Sequence, residues 1–282
     1  MLAATRFEPS PNPLNASDSS DELLLEHEPH ARGGVYRLIL NRPERLNVLG
    51  TRMLEALEAA LARIRDDDDA RVVILASSGA RAWIGGADIR EMADLDCASA
   101  RTFITRLHGV CAALRALPVP VIARIEGFCL GGGLEVAACC DLRIACEGSR
   151  FGMPEVQVGV PSVIEAALLP RLIGAGRSRD LVLTGRVIEA GEALAWGLVD
   201  TVVARAELDA AVDERLKMIL DAGPAAIRAQ KALCHQWETL PLDAAIEAGI
   251  DAFEKSFEGD EARRYMRRFL ERPRKRSNGK GN

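Results

Sequence analysis

Apolar positions along this chain follow two alternating patterns from residue 23 onward. Short apolar runs bounded by polar residues, which predict strands, occupy residues 23–28, 35–40, 72–76, 120–125 and 142–145. Between them, apolar residues recur every three or four positions, which predicts helices with one buried face. The clearest such series are Leu54, Leu57, Leu61 and Ile64, and then Phe103, Leu107, Val110, Cys111 and Leu114. Strands that alternate with helices in this way predict an α/β fold with parallel strands.

The second half of the chain changes character. Residues 161–172 are predicted to include a helix, and from about Arg205 the pattern is helical throughout. The sequence thus predicts a flexible N-terminal tail over residues 1–22, rich in Pro, Ser, Asn and Asp, an α/β core over 23–204 and a helical C-terminal region over 205–282. The predicted C-terminal helices cover residues 208–220, 224–233, 242–257 and 260–272, and the basic end at 272–280 is expected to fray.

Composition narrows the possible functions. A formal net charge of −5 over 282 residues argues against a nucleic-acid-binding protein, since phosphate binding needs a basic surface. Seven Cys without a C-x-x-C pair, together with only four His, predict neither a disulfide framework nor a zinc site. No apolar run approaches the roughly 18 residues of a membrane span, and the first residues lack the layout of a secretory signal. We therefore expect a cytoplasmic protein that binds neither membranes nor nucleic acid.

The stretch with the most chemical content is residues 126–135, which read E-G-F-C-L-G-G-G-L-E. A predicted strand leads into it and a predicted helix leaves it. Three consecutive glycines at such a junction remove side chains where backbone N–H groups could approach a ligand, and a helix start adds unpaired N–H groups. These features predict a site for either a phosphate or an oxyanion. Glu135, just inside the helix, would place a carboxylate beside that site.

A second glycine-bearing loop, Gly85-Gly86-Ala87, also opens a predicted helix. Two such loops can supply two convergent N–H donors, which is the arrangement that stabilises an oxyanion. Glu135 and Glu155 would then provide two carboxylates for proton transfer. Each feature also has a purely structural interpretation, because glycine loops form tight turns, Glu135 could cap its helix, and Glu155 could be a surface residue.

Several motifs in and around these loops resemble the crotonase, or enoyl-CoA hydratase/isomerase, family. The resemblance covers about residues 23–272, and the motifs occur in the family's order. They are L-N-R-P-E-R-L-N at 40–47, G-G-A-D-I-R-E-M at 85–92, I-E-G-F-C-L-G-G-G-L-E at 125–135, C-D-L-R-I-A at 140–145, F-G-M-P-E at 151–155, L-T-G at 183–185 and A-L-A-W-G-L-V-D at 193–200. The resemblance implies a crotonase-like spiral of β-β-α units with a C-terminal helical region for trimerisation and pocket cover. It also implies assembly as a homotrimer or homohexamer.

The same resemblance implies a substrate and a reaction. Family members bind acyl-CoA thioesters and stabilise the thioester enolate with two backbone N–H groups, which correspond here to Ala87 and Gly132. Hydratases of the family use two glutamates. These correspond to Glu135, which would orient and activate water, and Glu155, which would deliver a proton to the α-carbon. The implied reaction converts a 2-enoyl-CoA into a 3-hydroxyacyl-CoA. It requires no metal or separate cofactor, because CoA arrives as part of the substrate.

The resemblance also assigns positions along the rest of the substrate. The assigned positions are Arg45, Leu46, Ala87, Asp88, Ile89, Arg90, Gly131 and Gly132. Residues 87–90 match the family's contact with the adenine side, and residues 45–46 match the loop along the CoA and pantetheine path. Arg272 corresponds to a basic residue of the terminal helix near the CoA phosphates.

One segment departs from the family pattern. Typical hydratases carry G-x-I-P-G-x-G-G after the second glutamate, whereas residues 159–170 here read G-V-P-S-V-I-E-A-A-L-L-P. We expect this segment to line the acyl side of the pocket, and Glu165 could enter the site. Two other functions stay open. The protein could catalyse double-bond isomerisation, which needs only one base, or another enolate reaction. Alternatively, it could bind an acyl-CoA or a protein without catalysis.

Overall fold

The computed structural model describes residues 22–271. Residues 1–21 of the tail predicted over 1–22, and the predicted basic end at 272–280, lie outside that range. The strands, in chain order, are β1 (Leu23–Glu28), β2 (Gly34–Leu40), β3 (Ala70–Ser77), β4 (Ala82–Ile84), β5 (Val121–Ile125), β6 (Phe128–Leu130), β7 (Leu142–Cys146), β8 (Arg150–Gly152), β9 (Val187–Glu189) and β10 (Thr201–Val203).

Helices follow most of the strands. They are α1 (Thr51–Arg65), α2 (Ile89–Met92), α3 (Cys97–Ala116), α4 (Gly132–Ala138), α5 (Leu169–Ile173), α6 (Ala175–Thr184), α7 (Ala190–Trp196), α8 (Leu208–Asp221), α9 (Pro224–Trp237), α10 (Leu242–Lys255) and α11 (Glu261–Leu270). Short 3-10 helices span Pro43–Arg45, Pro154–Val158, Ile164–Leu168 and Arg205–Glu207.

The strands form two sheets, between which the chain passes repeatedly. The larger has the order β1-β2-β3-β5-β7-β10, and the smaller has the order β4-β6-β8-β9. Neighbours are parallel except for β1 with β2 and β8 with β9, which are antiparallel. In three successive units, which begin at β3, β5 and β7, a strand of the larger sheet is followed by one of the smaller sheet and then by helix, as in β5, β6 and α4. This spiral of β-β-α units confirms the predicted fold class.

Alternation along the central strands supplies two apolar layers. On β3, Val73 and Leu75 join the large core with α1, α3 and α4, whereas Val72 and Ile74 face the opposite side of the sheet. Successive side chains of a strand point to opposite faces, so a strand that is apolar at every position is buried on both. The second face is covered by α8, which contributes Leu208, Val212, Ile219 and Leu220.

The helix predicted within residues 161–172 is only partly correct. The chain is irregular through Ser162, runs through the 3-10 helix at Ile164–Leu168 and then enters the five-residue α5. Ile164 has φ 34°, a left-handed conformation that a β-branched residue rarely adopts and that no α-helix contains. Pro170 occupies the first turn of α5, where its missing N–H is tolerated.

The predicted change to an all-helical pattern near Arg205 is confirmed, and α8 to α11 lie within a few residues of their predicted ranges. Unlike α8, the last three helices carry little buried apolar surface: within residues 22–271 their one buried residue is Ala245. None of the helices between residues 22 and 271 combines the length and apolar character that crossing a membrane requires.

Candidate active site

The glycine loop of residues 131–133 lies between β6 and α4, where it brings the backbone close to two other parts of the chain. Gly131 has φ 52° and ψ −124°, and its N–H donates to the carbonyl of Gly152 at 2.9 Å, which ties the loop to β8. A Cβ at Gly131 would lie 2.6 Å from Oε1 of Glu155, and one at Gly133 would lie 2.4 Å from the carbonyl oxygen of Ile84. Glycine is therefore required at position 133, where the contact is with backbone, and a side chain at position 131 would displace the Glu155 carboxylate.

The first glycine loop meets this one through Ala87. Leu49 donates its N–H to the carbonyl of Gly86 at 2.8 Å and accepts from the N–H of Asp88 at 3.1 Å, which fixes the loop on either side of Ala87. A Cβ at Gly132 would lie 3.7 Å from the backbone nitrogen of Ala87, so the two backbones are neighbours. Within residues 22–271 the backbone N–H groups of Ala87 and Gly132 donate to no backbone carbonyl in the turns and loops. Gly132 is also the first residue of α4, and the first N–H groups of a helix have no acceptor within the helix.

Glu135 projects from the first turn of α4 into a buried environment, with 4% of its surface exposed. Its Oε1 accepts a hydrogen bond from the backbone N–H of Ala166 at 3.0 Å. Burial raises the pKa of Glu135 to about 8, and the negative charges of Glu155 and Glu165 add to this, although the Ala166 hydrogen bond acts in the opposite direction. Burial therefore favours the protonated form of the Glu135 carboxyl.

Glu155 approaches from the 3-10 helix Pro154–Val158, directly after β8. Its Oε2 accepts a hydrogen bond from the hydroxyl of Ser162 at 2.8 Å, and its Oε1 faces Gly131. Glu155 is partly buried, which argues against the alternative that it is simply a surface residue. The two predicted glutamates and the two predicted N–H donors thus converge on one place.

The positions assigned to the CoA part of the substrate fall into two groups. Arg45 lies beside Asp88 in an ion pair of 3.9 Å, and the carbonyl of Leu46 accepts from the N–H of Gly85 at 2.9 Å, so this loop packs on the first glycine loop. Asp88 also caps α2 by accepting from the N–H of Arg90 at 3.0 Å. The side chains of Ile89 and Arg90 point to solvent, and Arg272 lies outside the described residues.

Three contacts at the site were not predicted, those of Ser162, Ala166 and His108. Ser162 contacts Glu155 and Ala166 contacts Glu135, both from the segment that departs from the family pattern. His108 lies on α3, and its Nδ1 is 2.7 Å from Oε1 of Glu165. The periodicity of α3 assigns His108 to its polar side, and no local signal links it to a residue 57 positions later.

Other polar groups near the site have structural roles. Asp141 accepts from the N–H of Val121 at 2.7 Å and pairs with Lys231 at 2.7 Å, so it joins parts of the chain that are far apart in sequence. Cys139 and Cys140 are buried in the apolar core. Across residues 22–271 no three or more His, Cys, Asp or Glu side chains are grouped as metal ligands would be.

Comparison with known proteins agrees with this geometry. The model of the enoyl-CoA hydratase/isomerase family matches residues 30–279. The crotonyl-CoA hydratase of Syntrophomonas wolfei is 37% identical over 236 residues, which are 83% of this chain and 91% of that protein. The short-chain-enoyl-CoA hydratase of Clostridium acetobutylicum is 34% identical over 253 residues, which are 89% of this chain and 95% of the relative.

A solved structure shows the same fold. The crystal structure of enoyl-CoA hydratase from Bacillus anthracis superimposes with a TM-score of 0.84 at 32% identity, covering 89% of this chain and 96% of that one. The family resemblance predicted from the motifs is thereby confirmed. This chain belongs to the enoyl-CoA hydratase/isomerase family.

Proposed function

We infer that this protein is an enoyl-CoA hydratase, which adds water across the double bond of a 2-enoyl-CoA to give a 3-hydroxyacyl-CoA. The observation that carries this inference is the convergence of two backbone N–H groups, of Ala87 and Gly132, with two carboxylates, of Glu135 and Glu155. Relatives that cover most of the chain are hydratases of crotonyl-CoA and short-chain enoyl-CoA. The lyase reaction therefore agrees with both the site and the relatives.

The N–H groups of Ala87 and Gly132 serve as the oxyanion hole. Addition of water to the β-carbon moves electron density onto the thioester oxygen, and two donors aimed at that oxygen stabilise the enolate that forms. Each such donor lowers the barrier by about 3–4 kcal/mol in acyl chemistry. Glycine at position 132 keeps a side chain out of the space beside Ala87, which the thioester oxygen must enter.

The two glutamates can complete a balanced proton cycle. Glu135 starts with a proton because burial raises its pKa to about 8. We propose that a water bound between the carboxylates passes this proton to Glu155 when substrate binds, leaving Glu135 ionised. Glu135 then takes a proton from the water while its oxygen bonds to the β-carbon, and Glu155 gives its proton to the α-carbon. Both groups return to their starting states.

Arg45, Leu46 and the start of α2 are proposed to hold the CoA part of the substrate. Their loop packs on the Gly85–Ala87 backbone, so the thioester and the nucleotide would lie on neighbouring parts of one surface. Ile89 and Arg90 extend from that surface into solvent, where an adenine ring could lie against them. We propose that no metal or separate cofactor takes part.

The function is tested by following the loss of conjugated thioester absorbance when purified protein is mixed with crotonyl-CoA and with longer 2-enoyl-CoAs. A parallel assay with 3-enoyl-CoA tests the isomerase reaction. Isomerisation needs only one base, so it would leave the second glutamate without a role. Turnover of 2-enoyl-CoA to 3-hydroxyacyl-CoA is expected. Tight binding of the thioesters without any turnover would indicate a non-catalytic family member instead.

We further propose that the protein acts in the cytoplasm as a homotrimer or homohexamer. Its seven cysteines are all free thiols, which suits a reducing compartment. On α10, Leu242, Ile246, Ile250 and Phe253 recur at spacings of four, four and three residues, with 55% to 75% of each exposed. An apolar stripe of this kind on a helix calls for a partner surface, and further copies of the chain would supply it.

A further inference from the structure

The segment from Ser162 to Ala166 touches both catalytic carboxylates. Its first residue donates to Glu155, and its last donates to Glu135. The reacting α- and β-carbons must lie between these carboxylates, so the acyl chain beyond the β-carbon has to pass this segment. Residues that project from its middle are therefore placed to contact the substituents of the acyl group.

Glu165 projects from this middle position and is 8% exposed. Its Oε1 is held by Nδ1 of His108 at 2.7 Å. Its Oε2 is fully buried, and nowhere in residues 22–271 does it have a hydrogen-bond partner. Glu165 is also close enough to act electrostatically on Glu135. One oxygen is thus fixed in place, and the other is a buried acceptor without a partner, in the segment that contacts both Glu135 and Glu155.

The backbone before Glu165 is in an unfavourable conformation. Ile164 has φ 34°, and β-branched residues almost never adopt positive φ because Cβ crowds the backbone. Strain of this kind persists where the surrounding structure demands it, and it concentrates at functional sites. Here it turns the chain so that the Glu165 side chain is buried while the next N–H, of Ala166, reaches Glu135.

We propose that Glu165 is a specificity-determining residue whose free Oε2 accepts a hydrogen bond from a hydroxyl group on the acyl chain, beyond the reacting double bond. The inference rests on the proposed hydratase function. A buried carboxylate oxygen without a partner is costly, and a substrate hydroxyl would remove that cost on binding. Substrates that end in plain alkyl chains leave the oxygen unpaired, and the site should discriminate against them.

The single free oxygen of Glu165 favours a hydroxyl over a charged group as the substituent on the acyl chain. A hydroxyl has one proton to donate, which matches the single free oxygen of Glu165, whereas an ammonium group has three. A carboxylate on the acyl chain would place a second negative charge beside the Glu165 carboxylate and would be repelled. The substrate class is therefore a 2-enoyl-CoA with a hydroxyl substituent at or beyond the γ-carbon.

The test compares kcat/KM for 2-hexenoyl-CoA with the values for its 4-hydroxy, 5-hydroxy and 6-hydroxy derivatives. In the wild type, kcat/KM for at least one hydroxy compound should exceed kcat/KM for 2-hexenoyl-CoA by about ten- to a hundredfold. In Glu165→Met, which keeps the side-chain length but removes the acceptor, this ratio should fall to about one. Glu214→Met, at an exposed carboxylate on α8, is the matched control and should keep the wild-type ratio.

Two results would overturn the proposal: a wild type with no preference for any of the hydroxy compounds, or a folded Glu165→Met variant that keeps the preference. The wild-type series is decisive even where the variant fails to fold. Failure of the hydratase function looks different, because the wild type would then turn over none of the four compounds. The same ratio would in that case be read from dissociation constants by calorimetry, where equal affinities overturn the role of Glu165.

Discussion

The backbone N–H of Ala166 donates a 3.0 Å hydrogen bond to Oε1 of Glu135, across 31 residues of sequence. This bond joins the first turn of α4 to the 3-10 helix Ile164–Leu168, and it is the one direct polar contact that the structure describes for the Glu135 side chain. It holds the carboxyl in place without neutralising the effect of burial. The position and the raised pKa of Glu135 therefore have separate causes.

Glu135 should make the folded protein less stable as the pH rises. Its pKa is raised from 4.5 to about 8 on folding, so unfolding releases a proton between those values. Its contribution is most favourable below about pH 4.5 and is lost progressively as the pH rises through about 8. The free energy of unfolding of Glu135→Gln minus that of the wild type should thus increase by roughly 2–5 kcal/mol as the pH is raised from 4.5 to 9. Urea unfolding of both proteins at the two pH values measures this, and an equal change in both would contradict it.

Gly131→Ala should reduce activity far more than stability. The added Cβ would lie 2.6 Å from Oε1 of Glu155, and the backbone φ of 52° is itself unfavourable for alanine. Displacing a catalytic group by about 1 Å can lower the rate about a hundredfold, whereas the cost in free energy of unfolding should be about 1–3 kcal/mol. Steady-state kinetics and thermal unfolding separate the two effects.

The matched control is Gly191→Ala on α7, where an added Cβ meets no atom within 4 Å. This variant should unfold at the same or a slightly higher temperature, since alanine favours a helix by about 0.5–1 kcal/mol over glycine. Its activity should equal that of the wild type. Equal losses of activity in the two variants would show that the contact with Glu155 is not the reason for glycine at position 131.

Ser162→Ala should weaken catalysis without unfolding the protein. The hydroxyl donates to Oε2 of Glu155 at 2.8 Å, and a hydrogen bond to a charged group contributes about 1.5–3 kcal/mol. Since about 1.4 kcal/mol corresponds to a tenfold change, kcat should fall about ten- to a hundredfold. Ser162→Thr keeps the hydroxyl and should keep more of the activity than Ser162→Ala. Full activity of Ser162→Ala would mean that Glu155 needs no such support.

Ile246→Glu should dissociate the proposed assembly. Ile246 lies in the exposed apolar stripe of α10, and a charge buried in an interface without a partner is unfavourable. Sedimentation of the wild type should give three or six times the 30.5 kDa of one chain, and the variant should sediment more slowly. Glu247→Gln, at the next and exposed position, should leave the mass unchanged. A monomeric wild type would contradict the oligomer.

Much of this architecture could be predicted because its signals are local. Five strands of the larger sheet, β1, β2, β3, β5 and β7, are apolar runs, and α1 and α3 show one buried face, so these elements appear in the sequence pattern. Strands of three residues, such as Phe128–Leu130 and Thr201–Val203, are too short to show a period. The smaller sheet and the last strand of the larger sheet were therefore not predicted. The positive φ of Ile164 has no local signal, because a β-branched residue rarely adopts that conformation.

The site divides in the same way. Its glycines and glutamates could be predicted because they occur in motifs, and Glu165 because it departs from one. The contacts of Ser162, Ala166 and His108 with these carboxylates join residues that are 7, 31 and 57 positions apart, and only the folded chain brings them together. The part of the site that we propose sets acyl specificity is thus the part that sequence patterns describe least.

The most direct test of the account is the hydration of a 2-enoyl-CoA by the wild type, Glu135→Gln and Glu155→Gln. Both substitutions keep the shape of the side chain and remove its acid–base function. We predict that the wild type forms 3-hydroxyacyl-CoA and that each variant, still folded and still binding the thioester, loses about 10²- to 10⁴-fold in kcat. Wild-type rates in either variant would contradict the proposal that the two carboxylates transfer the protons of the added water.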